Sequence, residues 1–229
     1  MSITISLSAV LLAGAVYATE IPVTVSNLVT GPKSRVQLTN MSKQPITAWV
    51  LATTTHAEGG RNHREVYTAD GYLSEVTHGL PGASERLERL MPGESRDLTL
   101  DPLPSDATVE IIAVVLDDGS AVGDEQVIAP IFAKRARERD GLKAVVDAFN
   151  EVLPSRRGAD AVTALQERFA ALVQRDDSIP CRAALDTVQN FARKTNGEEI
   201  DQSLRAYADL VARQHALAVK HATRRGTGA

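Results

Sequence analysis

The chain has one cysteine, Cys181, among 229 residues. No intrachain disulfide can form, so the fold rests on its core alone. Cys181 has no His or Asn pattern around it that would mark a nucleophile, and it reads as a small apolar residue near the start of a helix. Aromatic residues make up only 4%, with one tryptophan, Trp49. Charge of one sign is not dominant either: the net charge of -4 excludes a dedicated nucleic-acid binder. No Gly-Xaa-Ser-Xaa-Gly elbow, phosphate-binding glycine loop or zinc-protease helix occurs, so no active-site motif is present. Internal repeats and low-complexity linkers are also lacking. The one continuous apolar stretch, at the N-terminus, is shorter than the ~20 residues that span a bilayer.

That stretch, Ile3 to Val16, is followed by Val16-Tyr17-Ala18, small residues where a signal peptidase cuts. The sequence therefore predicts a signal peptide over 1–18 and an extracytoplasmic mature chain, periplasmic or secreted. No Lys or Arg precedes the apolar run, so an uncleaved N-terminal anchor is the alternative. After cleavage nothing marks an integral membrane protein.

What is there divides in two. Up to Asp124 lie short apolar runs broken by Pro, Gly, Asn and Thr, with 8 basic and 15 acidic residues. Beyond it come 17 basic and 14 acidic residues in a stretch rich in Ala, Arg, Leu and Glu. The unlike charge suits solvated faces, or a helical face meeting an acidic partner or the β part itself.

Strands are expected over 21–29, 34–40, 46–55, 64–68, 96–100 and 107–116. Pro22 makes the first edge-like, since it donates no ladder hydrogen bond. The last is apolar on both faces, with Val109, Ile111, Ala113 and Val115 on one and Ile112, Val114 and Leu116 on the other. Such a strand needs cover on both sides, and the following helix is expected to supply one of them. These strands predict an immunoglobulin-like antiparallel β-sandwich with Trp49 buried in its core.

Four helices should follow, making the chain α+β. Asp124 is expected to cap the first, 124–152, which Gly141 bends or loosens and which ends before Pro154. The others are 159–175, 180–193 capped by Ser178 and ended by Asn196-Gly197, and 198–223. The tail from Arg224 should fray. Arg135, Arg137 and Arg139 alternate with acids and read as a solvated face. The domain boundary falls near Pro154, with 19–153 one unit of strands plus packed helix and 154–229 a helical extension.

Two clusters hold metal-ligating residue types. His56, His63 and His78 fall in or near loops between residues 55 and 80, beside Glu58, Glu65 and Asp70; their spacing fits no zinc pattern. Asp117, Asp118, Asp124 and Glu125 lack the alternation of a calcium loop and read as a tight turn at Asp118-Gly119, a short return and a helix cap at Asp124. His215 and His221, six apart on a helix, cannot share a metal one turn apart. No cofactor is implied.

Residues Val36-Gln37-Leu38-Thr39-Asn40-Met41-Ser42, Pro45-Ile46-Thr47-Ala48-Trp49, Pro92-Gly93-Glu94-Ser95 and Val114 to Ser120 with Gly123-Asp124 carry a pattern. It resembles that of a family of uncharacterised secreted bacterial β-sandwich proteins over about 20–153. An aromatic commonly precedes the Gly-Asp there; here Val122 does. The resemblance implies an exported β-sandwich followed by a helix, without a known activity.

Three functions remain in view. The first is an exported non-enzymatic binding or structural module whose helices offer a surface to a protein partner. The second is a metal-dependent or hydrolytic enzyme using loop residues 56–78. The third is an envelope chaperone or assembly factor that acts through a strand edge.

Overall fold

Alternation of Val36 and Leu38 with polar neighbours gives a strand with one apolar face, and this pattern recurs at Leu98 and Leu100. The computed structural model describes residues 20–56, 62–77, 88–193 and 196–226. The expected signal segment 1–18, Glu58, His78 and the last three residues lie outside them.

Two antiparallel sheets precede a helical region. The first has the order β1 (Val23–Val29), β2 (Ser34–Asn40), β5 (Ser95–Leu100). The second runs β4 (Asn62–Asp70), β3 (Ile46–His56), β6 (Thr108–Leu116), β7 (Ala121–Gly123). A short helix, α1 (Ser74–Thr77), lies between β4 and β5 in sequence. Then come α2 (Glu125–Val152), α3 (Gly158–Arg175), α4 (Ile179–Phe191) and α5 (Gly197–His221). No helix among the described residues is long and apolar enough to cross a membrane.

Apolar side chains of both sheets meet in one cluster: Val36 and Leu38 of β2, Leu51 of β3, and Ile111 and Val114 of β6, with Leu98 and Leu100 of β5 against them. A second cluster lies on the other face of the four-stranded sheet. There Ala48, Val50, Ala52, Ile112, Ala113 and Val115 pack against Ile128, Ile131 and Phe132 of α2. The helix thus covers one face of β6, as its double-sided apolarity requires.

The assignment of faces differs from simple alternation, for a backbone reason. Val50 pairs with Ala113 and Leu51 with Ile111, so Ile112 is an extra residue in β6. This bulge shifts the phase and puts Ile112 and Ala113 on the same side. A second register shift makes Thr47 extra in β3, between Ile46 opposite Leu116 and Ala48 opposite Val115.

The helical core is a third cluster, built on Phe149 of α2, Phe169 of α3, Val188 of α4 and Leu204 of α5. Phe149 meets Phe169 and Tyr207 edge-on, with ring centroids 5.4 and 5.8 Å apart. One helix therefore serves two cores: the first turns of α2 pack on the sheet, and its second half packs on α3, α4 and α5.

Two helix-end expectations need correction. Ser178 occupies the N-cap position of α4, but its hydroxyl makes no capping bond. That hydroxyl is buried without a hydrogen-bond partner beside Gly141, where a Cβ would lie 2.6 Å from it. Gly141 therefore permits α2 and α4 to approach closely, and α2 runs through it as one helix. Asn196 does not end α4 but starts α5, its side chain accepting from the Glu198 amide. Asp124 does cap α2, accepting from the Gln126 amide at 2.8 Å.

Candidate functional site

Two arrangements of polar residues are candidates for function. One is internal and spent on the chain itself. Arg135, expected on a solvated face, is fully buried. It points from α2 back toward the β3 bulge, and every arm of its guanidinium is engaged. Nε and Nη2 donate to one Asp70 oxygen at 3.1 and 2.6 Å, Nη2 also to Thr47 Oγ1 at 3.1 Å, and Nη1 to the His221 carbonyl at 3.4 Å. The Tyr72 ring lies 4.7 Å below its carbon. The Tyr72 hydroxyl donates to Glu138 at 2.7 Å. Burial, and then that hydrogen bond to Glu138, push the phenol well above its ordinary range. Alternation of charge in Arg135 to Asp140 masked this role, because period alone does not tell which Arg faces the sheet.

Around Asp117 the C-terminal end of the chain closes on the β6–β7 turn. Asp117 accepts from Arg89 at 3.2 Å and Lys220 at 2.8 Å, and His221 Nε2 stands 3.8 Å away. Burial alone would raise the Asp117 carboxyl; the hydrogen bond from Lys220 and the charges of Lys220, His221 and Arg89 hold it below the usual carboxylate range. Arg224 binds Glu125 through both carboxylate oxygens, and the Arg225 amide donates to the Gly119 carbonyl. The tail at Arg224 and Arg225 is therefore docked rather than frayed. His221 itself is buried, and neither ring nitrogen has a hydrogen-bond partner. Burial, with the charges of Lys220, Arg135 and Arg89, pushes its imidazole down to about 4 against the opposing pull of Asp117.

The second arrangement is open. Trp49 and Tyr67 of the four-stranded sheet face Leu98, Thr99, Leu100 and Asp101 of the three-stranded one across a cleft of about 260 Å³. Trp49 was expected deep in the core; it stands half-buried at this mouth instead. Trp49 lies between Ala69 of the edge strand β4 and Val114 of β6, and its side chain packs at the margin of the cluster between the two sheets. Both lips of the cleft are sheet edges, because β4 pairs only with β3 and β5 only with β2 among the described residues. Tyr67 donates its hydroxyl to Glu65 at 2.7 Å and reaches Asp101 at 3.4 Å. The Glu65 bond first, then burial, push this phenol up to about 12, while the same bond and one from His63 lower the Glu65 carboxyl. Tyr67 therefore acts as a hydrogen donor clamped between two carboxylates.

The histidine expectations resolve differently. His56 ends β3 and meets the Asn62 side chain at 2.7 Å; His63 lies within β4 and meets Glu65 at 3.2 Å. Both are strand residues, not loop residues, and each is taken up by its own partner. His78 lies outside the described residues. Among the described residues no group of three or more His, Cys, Asp or Glu is placed to hold a metal ion. The depressions on the helical side, between α2 and α3, are floored by Ala148 and Ala164 and rimmed by the Arg168–Glu151 ion pair.

No family model matches the chain, and no curated protein does. Among solved structures it is similar to a hypothetical protein of Peptoclostridium difficile 630, with 11% identity and a TM-score of 0.29. The match covers 49% of this chain and 91% of that one. A likeness of that size says nothing about a shared role.

Proposed function

We propose that the protein is an exported, non-enzymatic binding module that takes up its partner on the open side between its two sheets. In this reading the sheets form an immunoglobulin-like sandwich, and the helical region braces it through α2. The mature chain, freed of residues 1–18, works outside the cytoplasm in the manner of an assembly factor acting through a strand edge. The observation that carries the reading is the cleft at Trp49 and Tyr67, flanked on both lips by strands whose outer edges are unpaired among the described residues. Unpaired strand edges present main-chain donors and acceptors that an added strand satisfies, and an apolar floor between them gives its side chains a seat. β4 supplies nine residues of such edge, and Val66 on it is 47% exposed. The charged groups around Asp117 and Arg135 are engaged with one another, and His221 beside them is closed off by burial.

Photo-crosslinking in the native host tests this. A crosslinker replacing exposed Thr99 should capture a discrete partner in the cell envelope, and one replacing Arg213 on α5 should not. Capture from Arg213 with none from Thr99 would move the binding surface to the helices.

A further inference from the structure

The open cleft carries a chemical preference as well as a shape. Its two lips each bring one carboxylate: Glu65 from β4 and Asp101 just beyond β5. The Tyr67 hydroxyl touches both, so the two acids stand on either side of a single phenol. Among the described residues the basic group paired with Glu65 is His63, which carries charge only when protonated. Among the described residues no ion pair involves Asp101 and no Lys or Arg lines the cleft. Between the acids and the core lie two aromatic rings, Trp49 and Tyr67, and the aliphatic Leu98 and Leu100. Paired carboxylates over aromatic and aliphatic walls match a cation on an apolar stem: the head meets the carboxylates, and the stem lies on the rings. The segment up to Asp124, to which the cleft belongs, carries 8 basic and 15 acidic residues, so the long-range field favours a basic partner too.

We infer that the cleft between β4 and β5 receives an extended segment of a partner protein and seats a Lys or Arg side chain of that segment between Glu65 and Asp101, over Trp49 and Tyr67. The inference rests on the strand-edge reading above and adds the identity of the anchoring residue. The occupant is an extended strand because both walls end in strand edges that are unpaired among the described residues, which a helix or a free small cation would leave unsatisfied. One anchor in a pocket plus main-chain pairing is how an added strand combines affinity with specificity. The charge contacts are solvent-exposed, so they set preference and salt dependence more than raw affinity.

The test uses the whole chain and nine-residue peptides of alternating Val and Thr whose central residue is Lys, Arg, Gln or Glu. Trp49, as the only tryptophan, reports occupancy of the cleft by its fluorescence. The Lys and Arg peptides should bind about tenfold tighter than the Gln peptide, and the Glu peptide weakest. The preference should shrink with added salt. A Glu65→Gln/Asp101→Asn variant with unchanged thermal stability should bind the Lys and Gln peptides alike. Equal binding of all four peptides to the unaltered chain would overturn the anchor while leaving the strand-edge reading standing. Failure of every peptide to bind would remove both. Lysine amide alone binding as tightly as the Lys peptide would overturn the strand as occupant. So would a dimer, seen by sedimentation, that the double variant dissociates, since a second copy would then fill the cleft.

Discussion

At the scale of single residues, Arg135 shows why a charge can sit at the centre of a fold. Its guanidinium is fully buried, and Asp70, Thr47 and the His221 carbonyl take its hydrogens. Asp70→Ala should cost about 3–5 kcal/mol in urea unfolding, because it leaves a buried cation unpaired. Pairing it with Arg135→Met should recover most of that loss, and simple additivity of the two single costs would contradict the account. His221 makes a second, pH-dependent contribution. An unfolded histidine takes a proton near pH 6.5, but this one, buried beside Lys220, Arg135 and Arg89, does so only at about 4. Between those values unfolding takes up a proton, so acid favours the unfolded chain. Stability should hold above pH 6.5 and fall as the pH drops toward 4, by up to about 3 kcal/mol. His221→Leu should flatten that part of the thermal-stability profile; an unchanged slope would show that other groups cause it. Neither residue was legible in the sequence. A lone Arg among alternating charges and a His near the end of the chain look like surface, and only the return of α5 onto the β6–β7 turn buries them.

At the scale of elements, hydrophobic period and cap residues were legible and tertiary register was not. Asp124, a short acceptor after Gly123, marked the start of α2, and Pro154 lies just past its end. The bulges at Thr47 and Ile112 left no such mark. In a strand apolar on both faces an extra residue does not disturb the pattern, so the faces of β6 could not be read off alternation. β7, three residues long, is the short return expected between the Asp118-Gly119 turn and the Asp124 cap. Gly123 joins β7 to the cap and has a φ of +121°; a Cβ there would lie 2.6 Å from the Ala113 Cα and collide with the Ile112 carbonyl. Gly123→Ala should therefore cost about 2–4 kcal/mol in urea unfolding. Gly197→Ala, at an open position at the start of α5, should change stability by less than about 0.5 kcal/mol. Similar effects at the two glycines would refute the close approach.

At the scale of the whole molecule, the change from strands to helices was plain in composition, while the way the two halves are tied together was not. Helix α2 belongs to both the sheet-facing and the helical cluster. The end of α5 returns to Asp117, Gly119 and Glu125. This predicts one cooperative transition, with Trp49 fluorescence and far-ultraviolet helical dichroism unfolding at the same urea midpoint. Separated midpoints would show two independent units divided near Pro154. The cleft was hidden in the sequence because Trp49 resembles any core aromatic until the packing of the two sheets places it at the mouth between them. Its role is the central claim. Backbone hydrogen exchange, measured with and without the Lys-centred peptide, tests it most directly. The account predicts that slowed exchange appears in β4 and β5, at Asn62–Asp70 and Ser95–Leu100, and leaves α3 and α4 unchanged. Peptide binding that protects the helices and leaves both strands exchanging at their free rate would contradict it.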